Sequence, residues 1–247
     1  VVFWELGAEV IQIGVKPDGL NINKECGSTD TKLLSEKVRE NNADIGLALD
    51  GDGDRLIISD ENGEIIDGDQ ILGLLALQLK KNGSLKNNKV VGTLMTNVGL
   101  EKKLEEHSVE LIRAPVGDRY VKEEMLKEEL NLGGEQSGHI ILKDFTSSGD
   151  GIIVALQVLS ILSTKGVKVS QLLDIFKPIP QKLLNFKVNS QDVLEMENTK
   201  KFLSDCNNEI QNQGRIVARM SGTEPLLRVM IECSEQNKLN ELSNNIN

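Results

Sequence analysis

Two hydrophobic periods alternate along this chain. Short apolar runs such as Glu9–Gly14 (EVIQIG) and Asp44–Leu49 (DIGLAL) read as strands, and Thr31–Glu40 between them reads as an amphipathic helix. Leu56–Ser59 and Glu64–Ile66 flank Asn62-Gly63, a pair that favours a tight hairpin turn. Asp69–Lys80 then reads as a long apolar helix. The alternation repeats with strand Lys89–Met95, helix Gly99–Glu106, strand Glu110–Ala114, helix Asp118–Glu128 and strand His139–Leu142. Asp150–Leu162 is apolar enough to be expected as a buried helix. Strands separated by helices of this length predict an α/β fold with mostly parallel or mixed sheets and crossover helices.

The pattern changes at Lys177-Pro178-Ile179-Pro180, where two prolines mark a linker. Beyond it come a strand (Leu183–Val188), a long polar helix (Val193–Gln211), two strands (Arg215–Met220 and Leu226–Glu232) and a terminal helix. That is the order of a small α+β domain.

Composition narrows the class. With 39% hydrophobic and 27% charged residues the chain is an ordinary globular one, and its single Trp and single Tyr leave the core to Leu, Ile and Val. A net charge of −10 argues against nucleic acid as a partner. The longest apolar stretches, Ile71–Leu79 and Ile152–Leu162, fall short of the roughly 18 residues a bilayer span needs, so no membrane partner is expected. Cys26, Cys206 and Cys233 match no zinc or redox spacing, which favours reduced thiols and a cytoplasmic setting. The chain opens at Val1, inside what reads as a helix, and is expected to be a fragment.

Four segments carry candidate chemistry. In Asp50-Gly51-Asp52-Gly53-Asp54-Arg55, three carboxylates alternate with glycines directly after a buried strand. Glycine lets the backbone turn sharply enough to aim all three acids at one point, and a hard divalent cation such as Mg²⁺ would relieve their repulsion. Arg55 would then sit beside the metal as a phosphate ligand. A calcium loop is a rival reading, weakened by Arg55 where Gly is required; a solvated acidic turn is another. Gly133-Gly134-Glu135-Gln136-Ser137-Gly138-His139 sets Glu135 and Ser137, which can bind sugar hydroxyls, beside His139, a candidate acid, base or donor; a plain turn reads similarly. Arg219-Met220-Ser221-Gly222-Thr223-Glu224-Pro225, with Arg228, offers hydroxyls, backbone N–H and two guanidinium forks to an anion, against a plain hairpin. Gly117-Asp118-Arg119-Tyr120 either caps a helix or adds Arg119 as a phosphate contact. Lys outnumbers Arg 21 to 7, yet four of the arginines fall in these motifs.

Taken in this order and spacing, the segments resemble the α-D-phosphohexomutase family over essentially the whole chain. Asp50, Asp52, Asp54 and Arg55 match its metal loop. Glu135, Ser137 and His139 match its sugar loop, and Arg219, Ser221, Gly222, Thr223 and Arg228 match its phosphate loop. Leu20–Asn23, Cys26–Thr29, Val116–Val121 and Gln136 are most similar to the family's amino-sugar branch. The resemblance implies Mg²⁺-dependent phosphoryl transfer on a hexosamine phosphate, between glucosamine 6-phosphate and glucosamine 1-phosphate, through a sugar bisphosphate intermediate. It also implies three domains, at 1–66, 67–178 and 179–247. Neutral hexose phosphates are the alternative substrates, and a non-catalytic sugar-phosphate-binding fragment is the alternative class. A homodimer is left open. The family's nucleophile is a phosphoserine in a Ser-His-Asn-Pro-like motif that these 247 residues do not contain. The resemblance therefore implies that the phosphoryl donor and a fourth metal ligand lie upstream.

Overall fold

A computed structural model of the chain describes residues 1–188, 191–210, 213–221 and 225–246. Its first unit begins with a short helix, α1 (Val2–Glu5), and an extended stretch, and continues with α2 (Lys32–Asn41). A three-stranded antiparallel sheet follows, of β1 (Gly46–Leu49), β2 (Leu56–Ser59) and β3 (Ile65–Ile66), in that order. The expected crossover is absent here because Asp50–Arg55 returns the chain straight alongside β1, pairing Leu49 with Leu56. In the hairpin that follows, the turn spans Asp60–Glu64, and only Gly63 takes a positive φ, of 82°. Asp60 accepts from the backbone N–H of both Asn62 and Glu64 and so holds the turn closed.

Glu9–Gly14 is not a strand. Its alternating side chains suit a pleat, but a strand also needs a ladder partner. None of the described strands lies beside it, and Val10 and Ile11 are left exposed. A cavity of about 370 Å³ separates this segment from the outer edge of β1, lined by Ile13, Ile22, Leu34, Leu47 and Leu49. Ser28 N–H donates to the Leu49 carbonyl at the end of that edge.

The middle unit has a four-stranded sheet flanked by helices. It comprises α3 (Gly68–Lys81), β4 (Lys89–Thr93), α4 (Val98–Glu106), β5 (Glu110–Ala114), α5 (Asp118–Lys127), β6 (Leu132–Gly134), β7 (Ile140–Leu142), α6 (Gly151–Lys165) and the short α7 (Val169–Leu172). Sheet order is β5-β4-β6-β7, with β4 parallel to β5 and β6, and β7 antiparallel to β6. Leu100 and Leu104 of α4 join one core, and Val121 and Met125 of α5 join another with Val91 and Ile141. Helices therefore cover both faces, and the chain reverses direction across β4. Such a switch point leaves a crevice at the carboxyl ends of the parallel strands. α6 is buried along one stripe, through Val154, Ala155, Val158 and Ile161, rather than all round, and Ile152 faces outward. The α3–α6 core also takes in Leu56 and Ile58 of β2, so the hairpin unit and the middle unit share one interior.

The last unit holds β8 (Gln181–Lys187), α8 (Glu197–Glu209), β9 (Gly214–Met220), β10 (Leu226–Cys233) and α9 (Gln236–Ile246), with antiparallel order β8-β10-β9. The single long helix expected from Val193 is instead a helical turn at Gln191–Leu194 followed by α8, whose N-cap is Met196 in extended geometry. One sheet face packs Leu184, Phe186, Leu227, Val229, Ile231 and Cys233 against the helices. The other face carries Arg215, Val217 and Arg219 opposite Glu232, Met230 and Arg228.

Candidate functional site

The acidic loop owes its shape to three backbone anchors. Gly53 N–H donates to the Asp50 carbonyl, Gly151 N–H at the start of α6 donates to the Gly53 carbonyl, and Arg55 N–H donates to Asp50 Oδ1 at 3.2 Å. Gly53 turns with φ of 72°, where a side chain would be strained. The result brings carboxylate oxygens of Asp50, Asp52 and Asp54 within 4.8 Å of one another. Asp54 Oδ1 is buried with no hydrogen-bond partner, an oxygen that calls for a cation. An all-oxygen set of three carboxylates suits Mg²⁺ better than a softer metal. Arg55 Nε lies 3.5 Å from Asp50 Oδ2 and 3.9 Å from Asp54 Oδ1, without hydrogen-bond alignment to either. Its charge offsets part of the repulsion while its side chain remains 40% exposed.

The second loop is welded to the first. Arg55 and His139 form a β-bridge, and Leu56 N–H donates to the Gly138 carbonyl at 3.0 Å. His139 is buried, and its Nδ1 lies 2.8 Å from Asp54 Oδ2, so it orients a carboxylate of the acidic triad. Gly138, at φ of 92°, lies so close to Leu56 that a Cβ there would overlap its backbone. Glu135 stands just past the carboxyl end of β6, in the crevice at the switch point. It is buried, its Oε1 accepts from Gly117 N–H at 3.0 Å, and Ser137 Oγ contacts Oε2 at 3.4 Å. The Gly117 loop at the end of β5 thus holds the sugar-loop carboxylate. Arg119 itself lies on an exposed helix face, paired with Glu123 at 2.7 Å.

Gln136 donates to Asp67 Oδ2 at 3.1 Å. Asp67 is the N-cap of α3, accepting from Asp69 and Gln70 N–H, and burial raises its pKa above the usual carboxylate value. Gly68 N–H donates to the Gln136 carbonyl, and the backbone of Glu135 and Gly138 leaves no room for a Cβ on Gly68. The start of α3 is thereby the floor under the sugar loop.

The third cluster comes from the last unit. Arg219 and Arg228 are cross-strand partners on the face opposite the helices. Arg219 Nε is buried without a hydrogen-bond partner. Burial, then the neighbouring Arg228 charge, lowers the Arg219 pKa, and the Glu135 carboxylate opposes the shift. Arg219 thus lies within electrostatic reach of the Glu135 carboxylate. Ser221 N–H donates to the Leu226 carbonyl at 2.8 Å and closes the turn's base. Gly222 and Thr223 lie outside the described residues.

Sequence reading missed Gly117, Asp67 and Gly68 as supports, because each reaches its partner from far along the chain. It also missed a cluster around Asp69, Asn97, Arg215 and Glu232. One signal for it existed: Arg215 stands four residues before Arg219 on one strand, hence on the same face.

Comparisons with known proteins agree with this layout. Three models of one family match in succession: phosphoglucomutase/phosphomannomutase alpha/beta/alpha domain II at residues 3–63, alpha/beta/alpha domain III at 67–179 and the C-terminal domain at 183–247. A phosphoglucosamine mutase of Nitrobacter winogradskyi is 49% identical over 243 residues, 98% of this chain and 54% of that protein. One of Zymomonas mobilis is 49% identical over 245 residues, 99% of this chain and 55% of that protein. The chain spans about half the length of the curated relatives it matches. Among solved structures, a phosphoglucomutase/phosphomannomutase family protein from Burkholderia thailandensis aligns with a TM-score of 0.73 at 22% identity, over 89% of this chain and 49% of that one. An Aspergillus fumigatus N-acetylphosphoglucosamine mutase in complex with GlcNAc-6P and magnesium aligns with a TM-score of 0.72 at 21% identity, over 91% of this chain and 56% of that one. No helix among the described residues is long and apolar enough to cross a membrane. With consecutive models covering nearly its whole length, the chain belongs to the phosphoglucomutase/phosphomannomutase family.

Proposed function

We propose that this chain supplies the metal, sugar and phosphate sites of a phosphoglucosamine mutase, which interconverts glucosamine 6-phosphate and glucosamine 1-phosphate through a bisphosphorylated sugar. The observation that carries the reading is the convergence of three loops from three sheets. His139 joins the sugar loop to Asp54, and Arg219 of the last unit lies within electrostatic reach of Glu135. The roughly 49% identity to proteins named phosphoglucosamine mutase supports the amino-sugar substrate.

In this proposal Asp50, Asp52 and Asp54 hold Mg²⁺, which when bound neutralises phosphoryl charge. Arg55 contacts the reacting phosphoryl group. Glu135 and Ser137 orient sugar hydroxyls, with the carboxylate fixed by Gly117. Arg219, Ser221, Gly222, Thr223 and Arg228 grip the phosphate that does not react. His139 holds Asp54 in place instead of acting on the sugar, and Arg119 attracts anions from the rim. The units at 1–66, 67–178 and 179–247 each contribute one loop. Two separated anion sites let a bisphosphate turn end over end, so that either phosphate can occupy either site.

Titration calorimetry of the 247-residue chain with glucose 1,6-bisphosphate in Mg²⁺ tests the sites. Binding is expected, weakened about tenfold or more by Arg219→Ala and by Asp52→Asn. Undiminished affinity in both variants would sink the assignment. Catalysis is tested by fusing the part of the Zymomonas mobilis relative outside the match to Val1. A chimera that binds the bisphosphate but converts neither glucosamine phosphate refutes the activity. Faster turnover of glucose phosphates than of glucosamine phosphates refutes the amino-sugar preference.

A further inference from the structure

The linker and the last sheet meet the middle unit at one buried polar cluster. Glu232 of β10 has no exposed surface. Its Oε2 accepts from Arg215 Nε at 2.7 Å, and its Oε1 accepts from Val98 N–H at 2.8 Å and from Gln181 Nε2 at 3.1 Å. Val98 is the first residue of α4, so the carboxylate also meets the positive end of that helix. Arg215 spans the same boundary, donating to the Thr96 carbonyl at 2.6 Å. Arg113, from the middle unit, donates to that carbonyl at 2.8 Å. Asn97 completes the joint by exchanging two hydrogen bonds with the Ile179 backbone in the linker.

This cluster shares a strand pair with the phosphate-site arginines. Arg215 and Arg219 lie on one face of β9, while Glu232 and Arg228 are their direct partners on β10. Four residues separate the two pairs, roughly 13 Å along the strands. Val217 and the buried Met230 fill the space between. A paired strand is stiff along its length, so fixing one end at Thr96 and Val98 fixes where the other end points. The end so aimed is the one that carries Arg219 and Arg228.

We infer that Arg215 and Glu232 are positioning residues that set the distance between the Arg219–Arg228 phosphate site and the acidic triad, an inference resting on the phosphate-site reading above. Neither residue touches the ligand. Their effect is confined to ligands that must engage both sites at once. A sugar bisphosphate has two phosphates at fixed separation and needs the sites in register. Inorganic phosphate needs only one of them.

The experiment compares the two probes on the 247-residue chain with Mg²⁺: glucose 1,6-bisphosphate by calorimetry and inorganic phosphate by ³¹P line broadening. Arg215→Met is expected to lose about tenfold in bisphosphate affinity, with phosphate binding unchanged. Arg215→Lys, which keeps the charge opposite Glu232 but cannot bond Glu232 and Thr96 together, should lose less bisphosphate affinity than Arg215→Met. Glu232→Gln should give the same split, and stands in if Arg215→Met does not fold. Unchanged bisphosphate affinity in a folded variant overturns the inference. So does a parallel loss of both ligands, which marks a merely structural role. A parent chain that binds neither ligand fails earlier, at the phosphate-site reading itself.

Discussion

Asp69 carries the largest resolved electrostatic shift in the molecule among the described residues. It is fully buried, and burial first, then the Asp67 charge, raises its pKa from 3.8 to about 7. Its Oδ2 accepts from Asn97 N–H, while Oδ1 is buried without a partner, so little offsets the cost of burying the charged form. The folded pKa is the higher one, so the folded state binds more protons between pH 4 and 7. Stability is therefore lost as pH rises through that window, by about 4 kcal/mol at most. Asp69→Asn mimics the neutral acid. It should melt near the parent at pH 5 and above it at pH 8, with a flatter Tm–pH profile by differential scanning calorimetry. Asp67 also has a raised pKa and keeps part of the slope in either protein. Identical profiles would refute the buried charge. At this scale the acidic loop was the legible part, because Asp50, Asp52 and Asp54 are neighbours in sequence. The bond between His139 and Asp54 spans 85 positions, and no local pattern announces it.

Element boundaries follow local chemistry closely. α6 begins where Asp150 accepts from Ile152 and Ile153 N–H, and it ends on Gly166 in left-handed geometry. Both signals are visible in the sequence, and both are worth the ordinary amount. Asn97 is different. As N-cap of α4 it accepts from Gly99 N–H, but it also ties down Ile179 and reaches Asp69. Asp150→Ala should cost about 1 kcal/mol in urea unfolding. Asn97→Ala should cost about 2–3 kcal/mol, because it also removes both bonds to the Ile179 backbone, while the bond from its own N–H to Asp69 survives. Equal costs would show that Asn97 is only a cap. Where sequence reading failed, the missing information was likewise non-local. Glu9–Gly14 has a strand's side chains without a strand's neighbour. The helix expected from Val193 breaks because Met196 adopts extended backbone.

At the scale of the whole molecule, a hairpin sheet, an α/β sandwich and a small α+β unit are held by two kinds of joint. The first two share an apolar core through Leu56 and Ile58, whereas the last docks through hydrogen bonds at Asn97, Arg215 and Glu232. The apolar joint ties its partners into one cooperative block. The polar joint, made of a few hydrogen bonds, is expected to be the first of the two to open on denaturation. The order of the units was legible from the alternation of strands and helices and the two prolines. The joints were not, since each is made of single residues drawn from separate stretches.

The outer edge of β1 has a practical consequence. No described strand pairs with this side of β1; Gly46 and Ala48 are buried there, beside an apolar hollow that Leu47 and Leu49 line together with Ile13 and Ile22. Such an edge templates pairing with any extended segment that reaches it. Purified as these 247 residues, the chain should self-associate with rising concentration in sedimentation velocity. A Leu47→Lys variant should keep it monodisperse, and the handling of the protein at the bench will be governed by a strand that runs straight into its acidic loop.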